Sequence, residues 1–175
     1  MTRVVGVDPG LTGALGMIDG ERHTLLAVGD IHSADGVVMA GELSDLLADW
    51  SPDLVVVEAV HSMPGAGVRS MFTFGRALGT VEGIVAGLGI PQVLIPPHQW
   101  KQIMHITKDK ASARAQAAKL WPQHRDLFAR VKDTGRAEAA LIALAWQRKV
   151  TTTRSGVQQS ATWRNGHDAE EATAP

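Results

Sequence analysis

The stretch RVVGVDPG, at residues 3–10, joins an apolar run to a carboxylate and a turn. The run predicts a buried strand that Asp8 closes, and a later apolar run ends in Glu58 in the same way. Asp133 and Glu138 lie where an alanine-rich helix is predicted to begin. An ionised carboxylate beside a core needs a partner or a cation, and Mg²⁺ favours oxygen ligands. The pattern therefore indicates a metal-dependent enzyme that acts on phosphate groups.

Length and composition narrow the class of protein. The chain has 175 residues, of which 45% are hydrophobic, so a single domain with a substantial core is expected. It contains no cysteine, which excludes a disulfide framework and a thiolate metal site and fits a reducing compartment. No apolar stretch approaches the roughly 20 residues of a membrane span. We therefore expect a soluble, cytoplasmic protein without a membrane partner.

Charge is unevenly distributed along the chain, although the net charge is −1 at pH 7. Residues 1–58 carry two arginines against ten acidic residues, whereas residues 98–136 carry nine lysines and arginines against three acidic residues. The second region would hold a polyanion beside a cation-requiring first region. The alternative is that these lysines and arginines are simply solvated on helix surfaces.

Hydrophobic periodicity predicts an α/β fold. Three short apolar segments separated by turn residues indicate an antiparallel meander, and a helix followed by a strand ending at Glu58 indicates a parallel crossover. A later helix has glycine at every fourth position, which predicts close backbone approach to the sheet or to another helix. The predicted strands are about 3–8, 13–19, 23–31, 54–58 and 92–95, and the predicted helices about 35–50, 70–88, 98–104, 109–121 and 136–149.

The character of the sequence changes after Val150. Residues 151–175 lack periodicity and contain few large apolar side chains. Such a segment buries too little apolar surface to offset the entropy lost on ordering. We therefore expect one domain over residues 1–150 and a flexible tail over residues 151–175.

The acidic residues can converge in this arrangement. Asp8 and Glu58 end strands that can be neighbours, and Glu138 shares a helix face with apolar Leu141 and Ile142. Each acid also has an ordinary structural explanation. Asp8 fits an Asx turn, Glu138 fits the first turn of a helix, and Asp133 fits an N-cap.

Four motifs in consistent order resemble a known family. They are VGVDPG at 5–10, VE at 57–58, MFTFGRALG at 71–79 and DTGRAEAA at 133–140. Together they resemble RuvC-type Holliday junction resolvases (crossover junction endodeoxyribonucleases), and most closely the short phage-encoded members. The resemblance covers residues 1 to about 150.

The resemblance implies an RNase H-like fold, with a five-stranded mixed sheet flanked by helices, in a homodimer. It implies a metal-dependent, structure-selective endonuclease that cuts four-way and other branched DNA by paired nicks, leaving 5′-phosphate and 3′-hydroxyl ends. Two Mg²⁺ or Mn²⁺ ions per active site are implied, in a protein that acts in the cytoplasm, including that of a phage-infected host. The implied metal ligands are Asp8, Glu58, Asp133 and Glu138. Lys101 and Lys110 match basic positions near the scissile phosphate, and the candidate DNA contacts are His61, Arg69, Arg76, Lys101, Lys108, Lys110 and Arg114.

The sequence departs from the family pattern at two places. Bacterial members end with two aspartates three residues apart, where this chain has Gly135 and Glu138. Asp133 is the substitute implied for the missing acid. Bacterial members also carry an aromatic wedge at the position of His61, so weaker stacking and relaxed sequence selectivity are expected.

Two other functions fit parts of the sequence. DPGLTG at 8–13 resembles the phosphate loop of actin-like sugar kinases, although 175 residues cannot hold the two lobes of that phosphotransferase fold. A non-catalytic branched-DNA-binding protein is the second alternative, and the retained acids argue against it.

Overall fold

A computed structural model describes residues 1–59, 67–107 and 109–167. A five-stranded sheet in the order β3-β2-β1-β6-β7 forms its centre. The first three strands form an antiparallel meander, and β6 runs parallel to both β1 and β7. The mixed five-stranded sheet predicted from the sequence is confirmed. Its strands are β1 (Arg3–Asp8), β2 (Ala14–Asp19), β3 (Leu25–Asp30), β6 (Leu54–Glu58) and β7 (Gln92–Ile95).

Helices cover both faces of the sheet. Alternate strand residues separate two cores: Val4 and Val56 contribute to one, and Val5 and Val55 to the other. The first core lies under the helices at 97–103 and 134–167, and the second lies under the helices at 40–50 and 68–87. The helices are α1 (Ala40–Trp50), α2 (Val68–Gly87), α3 (Pro97–Ile103), α4 (Lys110–Leu120) and α5 (Thr134–His167), with 3₁₀ helices Pro122–Phe128 and Val131–Asp133.

Strand glycines allow α5 to lie directly on the sheet. A Cβ atom at Gly6 would stand 2.0 Å from the carbonyl oxygen of Ala139, and one at Gly16 would stand 2.5 Å from the amide nitrogen of Ala140. Distances this short exclude any side chain at either strand position. The backbone of α5 therefore fits against β1 and β2, where its alanines occupy little space.

Helix α2 has glycine at every fourth position, and this glycine stripe was expected to allow close backbone approach to the sheet or to another helix. Within one protomer this expectation is wrong. Nothing lies within 4 Å of a Cβ atom built at Gly75, Gly79, Gly83 or Gly87. The helix instead packs through the buried side chains Ala77, Val81 and Val85. The stripe faces open space because these apolar residues, on another side of α2, bind the helix to the core.

The predicted helix over 35–50 begins later than expected. Residues 33–38 form a small hairpin of β4 (Ser33–Ala34) and β5 (Val37–Val38), and α1 starts at Ala40. Asp35 and Gly36 both have positive φ, at 50° and 74°. Two such residues in succession form a tight hairpin turn, which stops the helix from starting there.

The last helix is longer than predicted. Helix α5 runs past Val150, the predicted end of the domain, as far as His167. The division into a domain over 1–150 and a flexible tail over 151–175 stays a prediction. Each helix among the described residues is too short or too polar to span a membrane.

Candidate active site

Asp8 and Glu58 end neighbouring parallel strands. Val7 pairs with Val57 in the register of β1 and β6, so the two acids follow at the same edge of the sheet. Both are partly buried. The chain after Asp8 turns back on itself, with the Gly13 amide donating to the Gly10 carbonyl oxygen at 3.2 Å. The predicted proximity of the two strand ends is confirmed.

Helix α5 brings its first turns to Asp8. A Cβ atom at Gly135 would stand 3.2 Å from Asp8 Oδ2. Glu138 follows one helical turn later and is partly buried. The glycine thus leaves room for the Asp8 carboxylate against the helix, and Glu138 lies on the adjoining turn.

A buried tryptophan holds Glu58. The Trp100 Nε1–H group donates to Glu58 Oε1 at 2.8 Å, and the Trp100 side chain is completely buried. The ammonium group of Lys101 lies 5.1 Å from the centre of the Trp100 ring. Helix α3 therefore places both a hydrogen-bond donor and a cation beside the end of β6. Trp100 could not be identified from the sequence, because no local pattern links it to Glu58, 42 residues earlier.

Asp133 is held by Arg130. Arg130 donates from Nη2 to Oδ1 at 2.8 Å and from Nε to Oδ2 at 3.0 Å, and its backbone amide donates to Oδ2 at 2.9 Å. Asp133 is 1% exposed. The hydrogen bonds from Arg130 keep the pKa of Asp133 below its usual value. Both carboxylate oxygens thus serve to close the turn that precedes α5, a geometry that favours a structural role.

A second ion pair anchors the start of α5. Arg136 donates to both oxygens of Asp30, from Nε at 2.6 Å and from Nη2 at 2.5 Å. This pairing lowers the pKa of Asp30 and raises that of Arg136. It fastens the first turn of α5 to the end of β3. Arg136 lies beside Gly135 in the final motif, but no sequence pattern pairs it with Asp30, 106 residues earlier.

The donor set suits a hard cation, although the side chains are not drawn together around one. Asp8, Glu58 and Glu138 offer carboxylate oxygens, which Mg²⁺ and Mn²⁺ accept. Within residues 1–59, 67–107 and 109–167, no three acidic or histidine side chains are close enough to hold an ion as they stand. The space that a Cβ at Gly135 would fill is bordered by two oxygens, Asp8 Oδ2 at 3.2 Å and the Thr12 carbonyl oxygen at 3.4 Å. The residue types therefore fit a divalent cation, and binding requires side-chain adjustment.

Similar proteins are found among curated sequences, although no protein-family model matches the chain. Crossover junction endodeoxyribonuclease RuvC of Paenarthrobacter aurescens is 31% identical over 158 residues, which cover 83% of this chain and 82% of that protein. The protein of the same name from Pseudarthrobacter chlorophenolicus is 30% identical over 158 residues, covering 83% and 80%. The chain belongs to the RuvC family. This membership confirms the resemblance and the class of enzyme, an endodeoxyribonuclease, and it sets aside the actin-like phosphotransferase.

Solved structures share the RuvC-family fold. Thermus thermophilus RuvC in complex with a Holliday junction substrate superposes with a TM-score of 0.63 at 20% identity, covering 83% of this chain and 92% of that one. The fowlpox virus Holliday junction resolvase superposes with a TM-score of 0.58 at 13% identity, covering 85% and 99%. At such identities the likeness concerns the fold alone. It confirms the predicted RNase H-like architecture.

The candidate DNA contacts of this RuvC-family chain are placed at several points. Arg69 and Arg76 are exposed on α2, and Arg76 lies over the Phe72 ring at 5.9 Å. Arg114 donates from Nη1 to the Ala129 carbonyl oxygen at 3.1 Å, which ties α4 to the following 3₁₀ helix. Lys110 begins α4.

For three predicted DNA contacts the structure describes no side chain. His61 and Lys108 lie outside the described residues, and for Lys110 only the backbone is described. Their roles stay predictions.

Proposed function

We propose that this protein is a metal-dependent, structure-selective endonuclease that resolves four-way DNA junctions and cuts other branched DNA. The observation that carries the proposal is that Asp8 and Glu58 end neighbouring parallel strands, with Glu138 on the helix laid against Asp8. Membership of the RuvC family supports the choice of substrate. The reaction is hydrolysis by paired symmetric nicks that leave 5′-phosphate and 3′-hydroxyl ends. We place this reaction in the cytoplasm, including that of a phage-infected host.

Asp8, Glu58 and Glu138 would hold two Mg²⁺ or Mn²⁺ ions. When bound, such ions supply an activated water and stabilise the leaving 3′ oxygen. Asp133 was predicted as a fourth ligand, and its carboxylate accepts three hydrogen bonds from Arg130. Its ligand role stays a prediction.

The acids of the chain also shape how DNA is bound. Partly buried carboxylates repel the phosphate backbone, so the site is unfavourable for DNA until positive charge is added. Lys101 contributes such charge next to the Glu58 side of the site, where its ammonium group lies over the Trp100 ring. Lys110 and Lys108 are proposed to extend this charge towards the scissile phosphate, with Arg114, Arg69, Arg76 and His61 as further DNA contacts.

A homodimer would provide two such sites. Helix α2 presents its glycine stripe to open space, and Val68 and Phe72 on the same helix are 87% and 66% exposed. Exposed large apolar side chains beside a flat helix surface are typical of a contact between subunits. We propose that α2 forms this contact. A two-fold dimer then matches the pseudo-symmetry of a four-way junction and makes paired nicks of like polarity.

The test uses the full-length protein and a four-way junction labelled on one strand at a time. With Mg²⁺ or Mn²⁺ we expect symmetric cuts in two opposing strands, and products that a DNA ligase seals. A linear duplex of the same sequence is the matched control and should stay intact. Retarded migration of the junction without any cutting would support the alternative, a non-catalytic branched-DNA-binding protein.

A further inference from the structure

Trp100 is placed to control the carboxylate of Glu58. Ile95, at the end of β7, pairs with Glu58, and α3 begins two residues later at Pro97. This short connection directs Trp100 back over the end of β6. Its indole N–H reaches Glu58 Oε1 at 2.8 Å.

The hydrogen bond between Trp100 and Glu58 can run in only one direction. An indole N–H group only donates, and an ionised carboxylate only accepts. Trp100 is 0% exposed and packs in the core beside Val56 and Ile95, so the ring cannot turn away without disturbing that core. One oxygen of Glu58 is thereby fixed, and the other is the oxygen left for a ligand.

We propose that Trp100 is a positioning residue that holds Oε1 of Glu58 and so presents Oε2 to a divalent cation. This inference rests on the proposed function, because it assumes that Glu58 is a metal ligand. Carboxylates that bind metals are generally oriented by hydrogen bonds from residues behind them. The ammonium group of Lys101 lies 5.1 Å from the centre of the same ring, so the indole contacts both an acid and a cation of the site.

The alternative is that Trp100 serves only as core packing. A second buried tryptophan in the chain provides the comparison that tests this. Trp121 is also a buried tryptophan, 2% exposed, and its Nε1–H donates at 2.9 Å to a backbone carbonyl oxygen, that of His23. His23 lies in the turn between β2 and β3, at the opposite end of β2 from Ala14, which pairs with Asp8. Replacing either tryptophan by phenylalanine removes one indole donor and a similar volume from the core.

The experiment compares Trp100→Phe with Trp121→Phe in the full chain. Mn²⁺ binding without DNA is followed by the electron paramagnetic resonance signal of free Mn²⁺. We expect Trp100→Phe to weaken Mn²⁺ binding by about 10- to 100-fold, the range found for loss of a residue that orients a metal ligand. Trp121→Phe should bind Mn²⁺ as the wild type does. Equal binding by the two variants would overturn the proposal.

A second measurement needs no folded variant. In the ¹⁵N-labelled wild-type protein, adding Mg²⁺ should move the Trp100 indole N–H resonance, because its acceptor becomes a metal ligand. The Trp121 indole resonance should stay in place. A Trp100 resonance unmoved at saturating Mg²⁺ would overturn the proposal. If Glu58→Gln abolishes cleavage while Trp100→Phe binds Mn²⁺ normally, the positioning role fails and the proposed function stands.

Discussion

Gly6 lies so close to α5 that a Cβ atom at this position would stand 2.0 Å from the carbonyl oxygen of Ala139. This close approach fixes the distance between the strand that carries Asp8 and the helix that carries Glu138. The glycine is therefore part of the construction of the site, although it carries no functional group. Any side chain here must push the helix off the sheet.

Gly6→Ala should destabilise the protein by about 3 kcal/mol or more, at or beyond the upper end of ordinary overpacking. The clash is with backbone atoms, which cannot rotate away. Denaturant unfolding measures the change. Gly41→Ala, near the start of α1 with nothing within 4 Å of its Cβ, is the control and should be at least as stable as the wild type. A Gly6→Ala variant as stable as the wild type would show that α5 does not lie where the structure places it.

Asp133→Asn should reduce stability more than it reduces cleavage. The substitution removes the charge that accepts hydrogen bonds from Arg130 at a buried position, so the midpoint of denaturant unfolding should fall. Cleavage should stay within a few-fold of the wild type, because both Asp133 oxygens serve the turn before α5. Asp126→Asn is the control, since Asp126 is 96% exposed beside Arg125 and should change neither property. Complete loss of cleavage by a folded Asp133→Asn protein would instead support its predicted role as a metal ligand.

Gly79→Arg should convert the proposed dimer into a monomer. A long charged side chain fits the open face of an isolated protomer, but it would be buried and unpaired in a contact through α2. Analytical ultracentrifugation measures the mass. Leu26→Arg is the control and should leave the mass unchanged. Leu26 is an exposed apolar residue on β3, an edge strand of the sheet. If Gly79→Arg stays dimeric, the contact lies elsewhere.

Replacing Lys101, Lys108 and Lys110 together by alanine should weaken binding to all branched DNAs. For every phosphate that a lysine no longer neutralises, the slope of log affinity against log salt should fall by about 0.9 on duplex arms. Fluorescence anisotropy at several salt concentrations measures the slope. Arg22→Ala removes an exposed charge in the acidic part of the chain and should leave the slope unchanged. A triple variant with the wild-type slope would mean that these lysines are only solvated.

The strands, the meander of the first three and the parallel crossover could be predicted because each strand is a separate apolar run bounded by turn residues. The position of Asp8 beside Glu58 followed from that topology. The glycines were harder to interpret, because a sequence shows only that close approach is allowed. Gly6 and Gly16 allow the approach of α5, whereas the more conspicuous stripe on α2 faces open space.

The contacts that hold the site could not be predicted in this way. Trp100 reaches Glu58 across 42 positions, and Arg136 reaches Asp30 across 106. No helical or strand period relates residues so far apart. The pairing of Asp133 with Arg130 is local, but the acid looked equally suitable as an N-cap or as a metal ligand. Only the observed hydrogen bonds show that Arg130 holds this carboxylate.

The most direct test of the central claim is cleavage of a labelled four-way junction by Asp8→Asn, with binding measured on the same preparation. The substitution preserves the shape of the side chain and removes the charge that a divalent cation requires. The proposed function predicts that cleavage is abolished while the junction is bound as tightly as by the wild type, or more tightly, because less negative charge faces the phosphates. Cleavage within a few-fold of the wild type would contradict the assignment of Asp8 to a metal site and, with it, the proposed mechanism.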